Sequence, residues 1–315
     1  MDSASQATLI AASQSGSRRY RRRIGWIFVG ALAVAGMVIL AVTAVNHFVG
    51  PPLIHVGLTP EALVVTPDGR TLYVANSGSG TVTPITVAAG RPGAPIRVGT
   101  SPGALVVTPD GRTLYVANSG SGTVTPVTTT TGQPGTPIRV GTNPDALAVT
   151  PDGRTLYAAN GDNFHGDTVT PVVIATGRTG PPIRVGSFPA ALAVTPNNRT
   201  LYAAINGDVG PDVLGAHTVR PVTIATGAVG TPIPVGRGPL ALIVAPDGRT
   251  LYVANGDDNT VTPVAISTGI PGPPIQAAPF HAVPGPVALA VTPDGHALYA
   301  ANANDNTVAV ISLKG

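Results

Sequence analysis

The chain has 315 residues, of which 10% are charged and 43% hydrophobic, with 39 Gly, 33 Pro and no Cys; this excludes disulfides, thiolate metal sites and a cysteine nucleophile. The net charge of +3 belongs to the N-terminus. Arg18, Arg19, Arg21, Arg22 and Arg23 supply five of the 18 bases, and Asp2 is the only acid before residue 46, so the remainder holds 13 bases against 14 acids. That balance leaves no basic footprint for a nucleic acid.

In chain order, residues 1–23 read as a polar tail ending in the arginine cluster, which would stay cytoplasmic. Residues 24–45 follow without a charge. As a helix they would reach ~33 Å, enough to cross a hydrocarbon core of ~30 Å. Nothing basic follows until Arg70, so the charge asymmetry places whatever comes next outside the cell. The alternative is a signal peptide cut near Ala44 and a secreted product. The apolar stretch exceeds the ~7–15 residues of a signal core, which favours an uncleaved anchor.

From residue 51 to 315 the chain repeats. The element Thr-Pro-Asp-Gly starts at Thr66, Thr108, Thr150, Thr195 (with Asn197-Asn198), Ala245 and Thr292, at intervals of 42, 42, 45, 50 and 47 residues. A period in the forties built from short β-branched runs predicts a β-propeller with one four-stranded blade per repeat. In the first repeat, Ala62–Thr66 reads as strand A and Thr71–Ala75 as strand B. Thr81–Val87 reads as strand C and Pro95–Val98 as strand D. Pro67-Asp68-Gly69 makes a tight A–B turn with a bulge, Gly supplying positive φ, and Asn198 takes that place in repeat four. Proline at 84, 126, 171, 221 and 263 lies inside strand C and predicts an interruption there. Only repeat six lacks it, with Ala309 in its place.

The motif Leu-Tyr-Val-Ala-Asn at 72–76, 114–118 and 251–255, after Pro-Asp-Gly-Arg-Thr and before Thr-Val-Thr-Pro and Pro-Ile-Arg-Val-Gly, resembles the bacterial YVTN-type β-propeller repeat. The resemblance covers residues 51–315. It implies the propeller fold and a place among surface-layer, envelope-binding or, more distantly, lactonase-like propellers. It specifies no activity.

Strands A to C occur six times, whereas the strand-D element ends only the first five repeats, at Ile96, Ile138, Ile183, Ile233 and Ile275. Pro52–Gly57 at the front matches the missing one. The expected fold is therefore all-β: a six-bladed propeller whose N-terminal strand completes the last blade, preceded by one transmembrane helix.

Three connections exceed the shortest repeat. The B–C loop of repeat three has three extra residues, that of repeat four eight, and the D–A connection before repeat six five. All belong to connections expected on one face of the ring, where binding residues gather on rigid scaffolds. The ligand-binding candidates are Asp162, Asn163, Phe164, His165 and Asp167 in repeat three and Asp208, Asp212 and His217 in repeat four. Asp257 and Asp258 in repeat five join them, with Phe280 and His281 before repeat six. Oxygen-rich loops can hold Ca²⁺ and His with Asp can hold Zn²⁺, but no calcium-loop spacing occurs. Asp, Asn and Gly are ordinary turn residues, so no metal or cofactor is expected.

Catalysis is not expected either. Glu61 is the only Glu, strand A is built from Ala, Leu, Val and Thr, and no Gly-x-Ser-x-Gly elbow or Ser-His-Asp order is present. The alternative is a lactonase- or lyase-like enzyme working from the B–C/D–A face. The main expectation is a monomeric, membrane-anchored extracellular propeller that binds a protein or envelope ligand.

Overall fold

The computed structural model describes residues 53–161, 167–207, 217–277, 285–303 and 306–313. The basic tail, the apolar stretch at 24–45, and Pro51 and Pro52 lie outside them. Among the described residues no helix is long and apolar enough to cross a membrane.

The described chain is a six-bladed β-propeller. Innermost in each blade is strand A: Pro60–Val65, Pro102–Val107, Pro144–Val149, Pro189–Val194, Pro239–Val244 and Pro286–Val291. Strand B pairs antiparallel with it, at Thr71–Asn76, Thr113–Asn118, Thr155–Asn160, Thr200–Ile205, Thr250–Asn255 and Ala297–Asn302. Strand C follows at Thr81–Thr86, Thr123–Thr128, Thr168–Val173, Thr218–Thr223, Thr260–Ala265 and Thr307–Ser312.

Each A–B turn closes by the chemistry its residues dictate. Gly69 adopts φ 71°, and its N–H bonds the Thr66 carbonyl at 2.8 Å. The Thr66 hydroxyl donates to Asp68 Oδ1, which also accepts from the Arg70 N–H. Asn198 takes φ 58° in blade four, as its short polar side chain allows. The expected bulge lies elsewhere. The register shift falls at the start of strand A, between Pro60 and Ala62 and its five equivalents, at the opposite end of the hairpin.

The proline expectation is overturned. The B–C ladder runs unbroken, with Tyr73 opposite Pro84, Tyr115 opposite Pro126, Tyr157 opposite Pro171, Tyr202 opposite Pro221 and Tyr252 opposite Pro263. In an antiparallel strand, alternate residues turn both polar backbone groups the same way. Each of these prolines turns them away from strand B: the Pro84 carbonyl accepts from the Gly93 N–H at 2.7 Å, on the strand-D side, and the other four repeat the bond. The donor that proline lacks is missing from the outer edge, so strand D is what breaks. It survives as two short pieces, Arg91–Pro92 and Ile96–Arg97 in blade one. In blade six the residue opposite Tyr299 is Val310, and Ala309 pairs with Ala300; Val310, not Ala309, stands where the other blades have proline.

Blades pack through the two faces of their sheets. Five apolar clusters join blade one to two, two to three, three to four, four to five and five to six. Val82, Val124, Val169, Val219 and Val261, at one position of strand C, are all 0% exposed. Tyr73, Tyr115, Tyr157, Tyr202 and Tyr252 are buried across the same interfaces, and the Tyr73 hydroxyl reaches the Thr129 carbonyl of blade two.

The candidate binding face

The backbone places the two classes of connection on opposite faces. In every blade the loop after strand B bonds the connection that leads into strand A: Ser77 N–H to Thr59 O, Ser119 to Ser101, Gly161 to Asn143, Asn206 to Phe188, Gly256 to Gly238 and Ala303 to Gly285. On the other face the end of strand C bonds the A–B turn, as Val87 N–H does to Arg70 O and Leu313 to His296 O. The described ends of the three lengthened connections, at Gly161 and Asp167, Gly207 and His217, and Ala277 and Gly285, belong to the first of these faces, while the inserted residues between them lie outside the described residues.

That face is held by repeated devices. In four of the six blades the acceptor carbonyl of the D–A connection belongs to a non-glycine residue in a left-handed backbone, Thr59, Ser101, Asn143 and Phe188 at φ 47–55°. Such a conformation costs a non-Gly residue about 1–2 kcal/mol, which the paired loop must offset. At the end of strand B a buried Asn stitches the face. Asn118 Nδ2 donates to Thr125 Oγ1 at 2.9 Å, with equivalents at Asn76, Asn160 and Asn255.

Four of the sequence-derived candidates lie among the described residues. Asp258 accepts the Arg237 N–H at 2.6 Å, as Ser79 and Ser121 accept the Leu58 and Thr100 N–H; it is a loop brace. His217 has φ 59°, where blades one and two have Gly80 and Gly122. Its Nδ1 accepts the Gly238 N–H at 3.3 Å, so the ring's other nitrogen carries the proton. Asp257 leans on the same glycine: a Cβ there would stand 2.7 Å from the Asp257 carboxyl carbon. His217 and Asp257 are thus brought together across Gly238, between blades four and five. Asp167 is separate, in a partly exposed ion pair with Arg184 at 3.1 Å. Asp162, Asn163, Phe164, His165, Asp208, Asp212, Phe280 and His281 lie outside the described residues. Among those described, no three His, Asp or Glu side chains gather closely enough to share an ion.

Two residues on this face escaped the sequence reading. Asp145 occupies the bulge of strand A in blade three and is 5% exposed, with Asn143 Nδ2 donating to its Oδ2 at 2.6 Å. It lies under Gly161, where the blade-three insertion begins. Arg220 stands where four blades have the stitching Thr, and Ile205 stands where they have Asn. Its Nε is buried without a partner among the described residues. Aligning the repeats column by column exposes both departures; reading for motifs does not.

The turn face is regular. Asp68, Asp110, Asp152 and Asp294 titrate below the ordinary carboxylate range, chiefly because a Thr hydroxyl donates to each, with backbone N–H groups adding to it. His296 takes the place of Arg in the last turn and is exposed. Two grooves of about 860 and 450 Å³ lie on the circumference between blades two and three and between blades one and two. They repeat each other around Tyr, Pro and the split strand D, and neither touches a candidate residue.

A six-bladed β-propeller is the class of protein this geometry defines. Neither a family model nor a curated protein matches the chain. Among solved structures it is similar to a chain of the Kuenenia stuttgartiensis hydrazine synthase, with 20% identity and a TM-score of 0.53, covering 85% of this chain and 99% of that one. It is also similar to a chain of a mitotic checkpoint complex, with 18% identity and a TM-score of 0.69, covering 80% and 74%. At these identities the likeness concerns the fold.

Proposed function

We propose that the chain is a YVTN-type propeller held at the cell surface by an uncleaved helix over residues 24–45. It binds a protein or envelope ligand through the B–C/D–A face, without catalysis. The observation that carries this reading is the concentration of every length insertion on the face whose loops are braced, blade by blade, to a regular scaffold. Rigid scaffolds that vary only in one set of loops are binding platforms. The described polar side chains there, Asp258, His217 and Asp167, are engaged in holding loops and salt-bridging, which supports recognition by a shaped surface over acid–base chemistry. The similar chain from the mitotic checkpoint complex belongs to a protein assembly, which fits that use of the fold.

The proposed anchor also implies an orientation for the face. The turn face carries an Arg in five of its six A–B turns, and Arg70 and Arg112 are more than four-fifths exposed. Between residue 45 and Leu53 only a short link remains, at most ~25 Å long, and the strand-D path beginning there starts on the turn face. The turn face is therefore held toward the membrane and the loop face points away.

Single cysteines introduced by Val213→Cys and Asp110→Cys into this cysteine-free chain test the orientation with an impermeant maleimide on intact cells. Labelling at 213 and protection at 110 are expected; the reverse pattern overturns the topology and the choice of face. Photo-crosslinkers at Asp257 and at Gly132 then test binding, with adducts to a discrete envelope component expected from the first alone.

A further inference from the structure

The outer halves of the blades, from the start of strand C to the end of strand D, are of two kinds. Residues 81–98, 123–140 and 168–185 of blades one to three carry Arg91, Arg97, Arg139, Arg178 and Arg184 and no acid. Residues 218–235 of blade four carry Arg220 alone, and residues 260–277 of blade five carry no charge. The five arginines of the first three blades are all exposed. Arg184 is paired with Asp167, while the other four have no ion pair among the described residues. One half of the circumference is therefore basic and the other is not, a division that the near-zero charge of the whole propeller conceals.

Two of these arginines come from different blades to one place. Arg139 ends the strand-D piece Ile138–Arg139 of blade two, and Arg178 opens the piece Arg178–Thr179 of blade three. The two pieces neighbour each other across the seam, and both arginines line the groove of about 860 Å³ between those blades. That volume falls within the ~300–1,000 Å³ of small-molecule sites. Asp110 and Asp152, the acids of the flanking A–B turns, are engaged by hydrogen bonds inside their own turns. Like charges brought together without a counterion repel, and an anion between them removes that cost. The pair belongs to this seam and not to the repeat. The matching positions are Arg97 and Gln133 between blades one and two, Arg184 and Ala228 between three and four, and Pro234 and Ile270 between four and five.

The rest of the lining narrows the anion. Thr128, Thr136, Thr176 and Thr179 add hydroxyls, and Pro126 and Pro137 add flat C–H faces. Tyr115 is the one aromatic residue in the lining and is 4% exposed, so no ring face is open to stack a nucleobase. Pro134 and Pro137 bracket the short outer strand of blade two, which denies an acidic peptide an edge to extend. An acidic sugar needs neither feature. Its carboxylate or sulfate suits the guanidinium fork, its hydroxyls exchange hydrogen bonds with the threonines, and its C–H faces lie against the proline rings.

We infer that the groove between blades two and three binds an acidic oligosaccharide, with Arg139 and Arg178 gripping one carboxylate or sulfate group. The site lies on the circumference, apart from the loop face, and is independent of what that face binds.

Calorimetric titration of the full chain in neutral detergent tests it. The probes are oligomers of a polyuronate and of a sulfated glycan, with polyglutamate and a neutral dextran oligomer for comparison. Saturable binding of at least one acidic glycan is expected, weakening as salt is added. In Arg139→Gln/Arg178→Gln that affinity is expected to fall about tenfold or more, the loss of charge-assisted hydrogen bonds, with Tm unchanged because both side chains are exposed. Arg249→Gln, on the turn face of blade five, is expected to bind as the unaltered chain does. Three results each overturn the inference: binding of neither acidic glycan, polyglutamate binding as tightly as the glycans, or an equal loss in the Arg249 variant and the double variant.

Discussion

Pro84 stands directly opposite Tyr73 in a continuous ladder and accepts a hydrogen bond from Gly93 on its other side. The proline is therefore compatible with the strand that contains it and disruptive only to its outer neighbour. Pro84→Val is expected to leave the fold intact and to cost no more than about 1 kcal/mol, from the added freedom of the unfolded chain. Urea unfolding checks this; a variant that fails to fold would show that the split in strand D is required.

The buried Asn stitches bear more weight. Asn118 is 0% exposed and donates to Thr125, which is itself buried. Asn118→Ala strands that hydroxyl and is expected to cost about 1–3 kcal/mol, read as a lowered urea midpoint. Ile205 and Arg220 show the stitch replaced at both ends in blade four, so Asn118→Ile alone is expected to be no milder.

His217 holds a left-handed turn position that glycine fills in blades one and two. His217→Gly is expected to preserve or slightly raise Tm, and His217→Val to lower it, because a β-branched residue tolerates positive φ poorly. If His217→Gly also abolishes crosslinking at the loop face, the imidazole contacts ligand in addition to closing the turn.

Acid and alkali probe different parts of the blades. Asp68, Asp110, Asp152 and Asp294 have folded pKa values below the ~3.9 of an unfolded Asp. Their contribution is present above that value and lost as pH falls through the folded one. Thermal melts are expected to decline below about pH 4, less steeply in Asp110→Asn, since blade four already uses Asn197 in this turn.

Tyr73, Tyr115, Tyr157, Tyr202 and Tyr252 are shifted upward, chiefly by burial. A raised folded value contributes stability below the unfolded pKa of ~10 and loses it as pH climbs past the folded one. Ultraviolet titration is expected to show these phenols ionising together with unfolding; their ionisation in a still-folded protein would contradict the packing described.

The sequence by itself determined the number of blades, their strands A to C and the residues of the A–B turns. Each of these rests on local chemistry: Gly69 and Asn198 at positive φ, the Thr66–Asp68 bond, and short apolar runs such as Leu72–Ala75. Strand order alone also assigns the three lengthened connections to one class, those joining strand B to C and strand D to A. Only the tertiary structure decided what depends on neighbours. Which edge of strand C lacks a donor could not be read from Pro84, because proline removes a hydrogen bond only on the side its nitrogen faces, and the register with Tyr73 sets that side. That His217 and Asp258 brace loops depended on the backbone N–H groups of Gly238 and Arg237, some twenty residues away. The carboxylate at Asp145 and the guanidinium at Arg220 carry no motif; burial gives them their character, and burial is a property of the packed blades.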